Sequence, residues 1–186
     1  MVQFWAPFTV GGRLLLKTSD HPFGLTSLRK GFCSYRKLCL NYSYVVDEEA
    51  AEEYNHHGGG RLGKDPPSHV FQTGLPEYSP DIKFYSNQEF PLRDDAIHRG
   101  MKYYLAVPVF EPDGSQDCIG VLEFLYNPHL FPMQKLTTFV RVISATLKAV
   151  ELRTSDYYYH LDMENDLANV RCRCSIIKIS SNSILN

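Results

Sequence analysis

The sequence predicts an α/β (more narrowly α+β) domain with a central antiparallel sheet flanked by helices. Three observations carry this. Tyr103 to Glu111 and Cys118 to Tyr126 are apolar, strand-forming runs joined by EPDGSQD. Met133 to Ser155 places Leu136, Val140, Ile143, Leu147 and Val150 three and four residues apart, the spacing of one helix face. VQFWAPF at 2–8 alternates, and Gly11-Gly12 separates it from an LLL run.

The hairpin rests on turn chemistry. Within EPDGSQD, Pro presets one φ and Gly supplies a positive one. Both faces of its strands are apolar, so cover on both sides is expected. Pro108 cannot donate to a ladder, so a bulge or an unpaired position is expected there. The helix of 133–155 should run about six turns.

Val2, Phe4, Ala6 and Phe8 share one face of the opening strand, and Arg13 to Thr18 forms the return strand. Ser19 to Gly31 reads as a loop. Tyr35 to Val46 fits a helix by its Leu38, Tyr42 and Val45, and a strand by YSYVV. Residues 47–67, with an acidic start, HHGGG and two prolines, read as an exposed, flexible insertion with little apolar surface to offset the entropy of ordering. His69 to Thr73 suggests a short helix capped by Gly74. LPEYSPD at 75–81 is turn-rich, Lys83 to Phe90 suggests a short strand, and Asp94 to Arg99 a helix closed by Gly100. From Tyr157 the pattern weakens, and VRCRCSIIKISSNSILN reads as a stray strand or a poorly ordered tail.

Composition excludes several classes. The chain has 186 residues, 44% of them apolar, enough for one domain with a real core. With 19 basic against 21 acidic residues it has no basic stripe, so no direct nucleic-acid contact is expected. No run is long and apolar enough for a membrane span, and the start lacks a secretory pattern. Five cysteines (33, 39, 118, 172 and 174), odd in number and irregular in spacing, suit free thiols in a reducing compartment.

Several motifs invite sharper readings. His56, His57, His69 and His98 suggest a metal, but no Cys or carboxylate stands at ligand spacing, so no metal and no cofactor are expected. Cys172-Arg-Cys174 is a weak redox pair. Asp94, Asp95 and His98 lack a nucleophile, and a solvated helix start is the plainer reading. His98, Arg99 and Tyr103 are the candidate ligand-binding residues, because Arg offers a planar donor fork to an anion. The helix of 133–155 is a candidate surface for protein partners or self-association, against core packing as the plainer reading.

YLAVPVFEPDGSQDCIGVLEF, 104–124, resembles the end of a GAF domain, and in particular those of the plant NIN-like proteins. VQFWAPF at 2–8, LPEYSPDIKFYSNQEFP at 75–91 and LKAVELRTSD at 147–156 resemble further blocks of that family, in its order. The resemblance covers about residues 2–156 and implies a GAF-like regulatory domain over 1–156, with 157–186 divergent. It implies a nuclear, nitrate-responsive transcription factor whose DNA is bound by an RWP-RK domain not recognisable here, and whose C-terminal domain mediates association. A small anion or metabolite is a candidate ligand. No nitrate-contacting residue is carried over. Where the family has a Gly-Leu-Pro-Gly-Arg stretch, this chain reads Asp65-Pro66-Pro67-Ser68-His69, which removes both glycines and an anion donor. The missing leading helix and the altered end suggest a fragment. Two alternatives stand beside this: a generic small-molecule-binding GAF module outside transcription, and a GAF-type methionine sulfoxide reductase using Cys33, Cys39 or Cys118 as thiolates.

Overall fold

In the computed structural model the described residues are 1–25, 30–46, 65–112, 117–127, 136–155 and 171–172. β1 (Val2–Val10) turns through Gly11 and Gly12, both at positive φ (58° and 81°), into β2 (Arg13–Lys17). That left-handed pair is the conformation a tight hairpin turn needs and glycine supplies without strain. A two-residue strand, β3 (Phe23–Gly24), returns alongside β1, so the expected loop of 19–31 holds a strand and the start of a helix. That helix, α1 (Lys30–Leu40), is followed by β4 (Ser43–Val45), which resolves the ambiguous 35–46 segment into both of its readings.

The chain resumes at α2 (Pro66–Thr73) and continues through β5 (Glu77–Ser79), a single 3₁₀ turn (Ile82–Phe84), α3 (Arg93–His98), β6 (Tyr103–Phe110), β7 (Cys118–Tyr126) and α4 (Leu136–Ala149). β8 (Arg171–Cys172) lies parallel to β5. The sheet order is β4-β2-β1-β7-β6-β5-β8, with β3 also on β1, and all pairings but the last are antiparallel. This is the expected mixed α/β build with helices flanking the sheet, consistent with a GAF-like fold.

Two apolar layers cover the sheet. On one side Trp5, Leu16, Phe32, Tyr35, Val70, Tyr85, Phe90, Tyr104 and Leu125 pack with α1 and α2. On the other, Leu105, Val107, Val109 and Phe124 meet Val140, Ile143 and Leu147 of α4. β6 and β7 are therefore covered on both faces, as their apolar sequences predict. The same is true of β1, where Gln3 and Trp5 are more deeply buried than the Val2, Phe4 and Phe8 of the alternating set.

Five expectations are corrected. Residues 65–67 are not part of an open insertion: Asp65 caps α2, its side chain accepting from Ser68 N at 2.9 Å, and Pro66 and Pro67 occupy the first turn, where no N–H is required of them. Residues 47–64 lie outside the described residues. The strand expected over 83–90 is a 3₁₀ turn and bends, because Asp81 accepts from Lys83 N and Glu89 accepts from Ser86 N, giving the backbone local partners instead of a ladder. The strand here is Glu77–Ser79, within the segment read as turns, and it pairs with Tyr104 to Ala106.

The hairpin irregularity falls between Val109 and Phe110, where Ile119 is the extra residue, and not at Pro108. Pro108 stays in register with Val121 because β5 begins at Glu77, opposite Ala106, and asks nothing of Pro108 on that side. Finally, α4 is described over 14 residues and stops at Ala149, short of the expected end at Ser155, while the expected start at Met133 lies outside the described residues. Glu151 takes φ 57°, and the chain swings back so that Phe110 and Arg153 exchange backbone hydrogen bonds of 2.9 and 3.1 Å. Val150 is consequently 61% exposed and off the buried stripe.

Candidate functional site

A polar network runs through the layer between the sheet and α1. Glu123 projects from the middle of β7 and is fully buried. Its register partner Gln3 donates from Nε2 to Oε2 at 2.5 Å, and Trp5, two residues along β1 on the same face, donates its indole N–H to the same oxygen at 2.9 Å. Gln3 in turn accepts from Arg36 Nη1 at 3.0 Å. Arg36 is anchored by Thr18, whose hydroxyl takes Nη1 and whose carbonyl takes Nη2 at 2.6 Å. An amide thus relays between the buried guanidinium of Arg36 on α1 and the buried carboxyl group of Glu123 on β7.

Burial dominates the electrostatics. It raises the Glu123 carboxyl above its ordinary range, against the opposing pull of its Gln3 and Trp5 donors and of Arg36. It lowers Arg36, against the pull of Cys39 and Glu123. Around the carboxylate stand Tyr35 (α1), Tyr44 (β4) and Tyr104 (β6), all buried and all held far from ionisation by desolvation. The Tyr104 hydroxyl approaches Glu123 without forming an aligned hydrogen bond. The rings are mutually packed edge to face, Trp5 with Tyr44 at 4.7 Å and Tyr104 with Phe90 and Tyr85 at 5.3 and 5.7 Å.

A second acidic group adjoins the first. Glu77 on β5 is buried, accepts from Tyr85 Oη at 2.8 Å and sits 3.1 Å from His69 Nδ1 of α2. Asp65, at the head of α2, is pushed up to about 7 by desolvation, which outweighs the Ser68 hydrogen bonds, and Glu77 adds to the rise.

The residues singled out in the sequence lie elsewhere. His98 is exposed, its Nδ1 on the Asp94 carbonyl at 2.7 Å. Arg99 has its fork occupied: Nη1 meets the Asp95 carboxylate at 2.6 Å and carbonyl at 2.8 Å, and Nε meets Ser34 Oγ at 2.8 Å. Tyr103 packs on Tyr126 at 5.1 Å, on the α4 side of the sheet. Strand parity explains this, since it is Tyr104 that faces the polar interior. Gln3, Trp5, Arg36, Tyr44, Tyr104 and Glu123 were missed. The one available signal was Glu123 itself, a lone carboxylate inside the apolar run CIGVLEFLY.

Burial pushes Cys39 up to about 12 and raises Cys118, whose Sγ lies 3.1 Å from the Gly120 carbonyl. Cys33, Cys39 and Cys118 are free. Among the described residues, no group of three or more His, Cys, Asp or Glu could hold a metal ion. His56, His57 and Cys174 lie outside them. No described helix is long and apolar enough to cross a membrane.

The fold and this interior define a mixed α/β domain of GAF-like build with an enclosed polar and aromatic layer on one side of its sheet. No family profile matches the chain. Individual relatives do. It is 36% identical over 163 residues to Protein NLP7 of Arabidopsis thaliana, covering 86% of this chain and 15% of that protein. Protein NLP6 of the same plant is 35% identical over 160 residues, 86% of this chain and 17% of that protein. Protein NLP1 of Oryza sativa subsp. japonica is 32% identical over 158 residues, 84% and 15%. The chain belongs to the plant NIN-like protein family and spans about 15% of the length of these relatives.

Proposed function

We propose that this chain is the regulatory, sensor-type domain of a NIN-like, nitrate-responsive transcription factor. On this reading it acts in the nucleus as part of a longer protein whose RWP-RK domain binds DNA. The observation that carries the reading is the similarity to the NLP proteins over most of the chain, on a GAF-like fold with a buried polar interior. The near balance of charge supports a role without direct DNA contact. The raised thiols support a non-enzymatic role over the reductase alternative.

Sequencing a full-length transcript tests the parent assignment. An RWP-RK segment in frame downstream of Asn186 is expected. A transcript whose coding region holds a different effector domain would favour the alternative, a small-molecule-binding GAF module outside transcription. We further infer that α4, whose Val142 is 57% exposed on the face away from the core, is the surface for self-association or a protein partner. Val142→Glu is expected to reduce association in sedimentation measurements, and an unchanged sedimentation coefficient would remove that reading.

A further inference from the structure

Four consecutive strands place Gln3, Glu123, Ala106 and Glu77 in one row, on one face of the sheet. At the usual strand spacing the Cα atoms of Glu123 and Glu77 are roughly 10 Å apart, with only the Ala106 methyl group between them. Tyr104, two residues along β6, flanks the same spot.

Five buried polar atoms of this network have no aligned hydrogen-bond partner among the described residues: the donor Arg36 Nε, and four oxygens, Glu123 Oε1 and the hydroxyls of Tyr35, Tyr44 and Tyr104, of which Tyr35 also approaches Cys39. All three tyrosines are within electrostatic reach of Glu123. Buried polar atoms in native cores are paired about nine times in ten, so an unpaired carboxylate oxygen with three unpaired hydroxyls around it points to an occupant. Its chemistry follows from theirs. The surrounding buried acids are Asp65, Glu77 and Glu123, against Arg36 and His69. Arg36 is set back from the carboxylate by the Gln3 relay and bound to Thr18. An anion would meet Glu123 directly, whereas a cation with N–H donors would meet four acceptors and the π-rich walls of Trp5 and Tyr44.

We propose that Glu123, Tyr35, Tyr44 and Tyr104 form a binding site for a small ammonium-class cation, seated over Ala106. Each N–H donates to one of the four oxygens, and no covalent step is involved. The regulatory meaning of such binding rests on the sensor reading given above. The binding itself is a property of this chain and is measured on it.

The test is thermal unfolding of the purified 186-residue chain in ammonium chloride, potassium chloride, sodium chloride and sodium nitrate, each at about 50 mM and constant total ionic strength. Ammonium should raise the midpoint by roughly 2 °C or more over sodium. The ammonium-minus-sodium difference should vanish in Tyr104→Phe and in Glu123→Gln. Reading that difference within each variant separates lost binding from altered stability. Equal midpoints in all the chlorides would mean that ordered water fills the site, and would overturn the proposal. Potassium matching ammonium would remove the N–H donor requirement and overturn it as well. Stabilisation by nitrate that disappears in the same variants would make the site an anion site and reject it. None of these outcomes bears on the transcript test.

Discussion

The indole N–H of Trp5 on β1 donates at 2.9 Å to the carboxylate of Glu123 on β7, inside a core from which both side chains exclude water. This contact ties the chain's first strand to the second strand of its clearest hairpin. Trp5→Phe keeps most of the apolar bulk and deletes the donor. It should lower stability by about 1–3 kcal/mol, the usual cost of leaving a buried acceptor short of a partner. Urea unfolding at pH 7 measures this. No change would mean that Gln3 alone satisfies Glu123.

Gly120 sits on β7 beside β1, next to Val121, the register partner of Trp5. A Cβ added there would lie 2.2 Å from Phe4 Cζ and 2.7 Å from the Trp5 carbonyl oxygen. The Phe4 ring can rotate away, but the carbonyl cannot without disturbing the strand that carries Trp5. Gly120→Ala should therefore destabilise by at least about 1–3 kcal/mol, in the range of overpacked cores. Wild-type stability in denaturant would contradict this close approach.

Asp65 links pH to stability. Its folded value of about 7 lies above the ordinary 3.8, so between these values the folded state holds a proton that the unfolded state has released. Stability contributed by this group is present at low pH and is lost as pH rises from about 4 to 7. Glu123, raised by burial, acts in the same direction. Asp65→Asn retains a capping side chain without the charge. The variant should gain on wild type as pH rises, by up to a few kcal/mol at pH 8. Equal pH profiles for the two proteins would show that Asp65 titrates normally.

Cysteine chemistry is testable through Cys118. Wild type and Cys118→Ser should show the same negligible turnover with free methionine sulfoxide, because burial holds the thiol protonated. Turnover in wild type that the substitution abolishes would revive the reductase alternative.

Much of the fold was legible. The β1–β2 hairpin, the pairing of β6 with β7, the Gly74 and Gly100 ends of α2 and α3, and the Val140, Ile143 and Leu147 stripe follow local rules of turn residues, strand propensity and periodicity, while residues 113–116 of the second turn lie outside the described residues. What was not legible depends on distant partners. α4 ends early because Arg153 must reach Phe110, 43 positions back in the chain (153 − 110). β5 exists because Glu77 to Ser79 meet β6, not because EYS favours a strand. The polar interior was hidden for the same reason: Gln3, Arg36 and Glu123 come from three separate segments, and only folding brings them into one chain of hydrogen bonds. Tyr104 was missed by a single residue, since a strand reverses its facing at each step and the sequence does not show which parity faces the polar layer.

We propose that this segment regulates a NIN-like transcription factor. The most direct measurement replaces the matching segment of Arabidopsis Protein NLP7 with residues 1–155 of this chain and reads a nitrate-responsive reporter in plant cells that lack the endogenous protein. The chimera should restore nitrate-dependent expression, and Glu123→Gln within it should weaken the response while the protein still accumulates. Full nitrate response from a version with the segment deleted outright would contradict the claim.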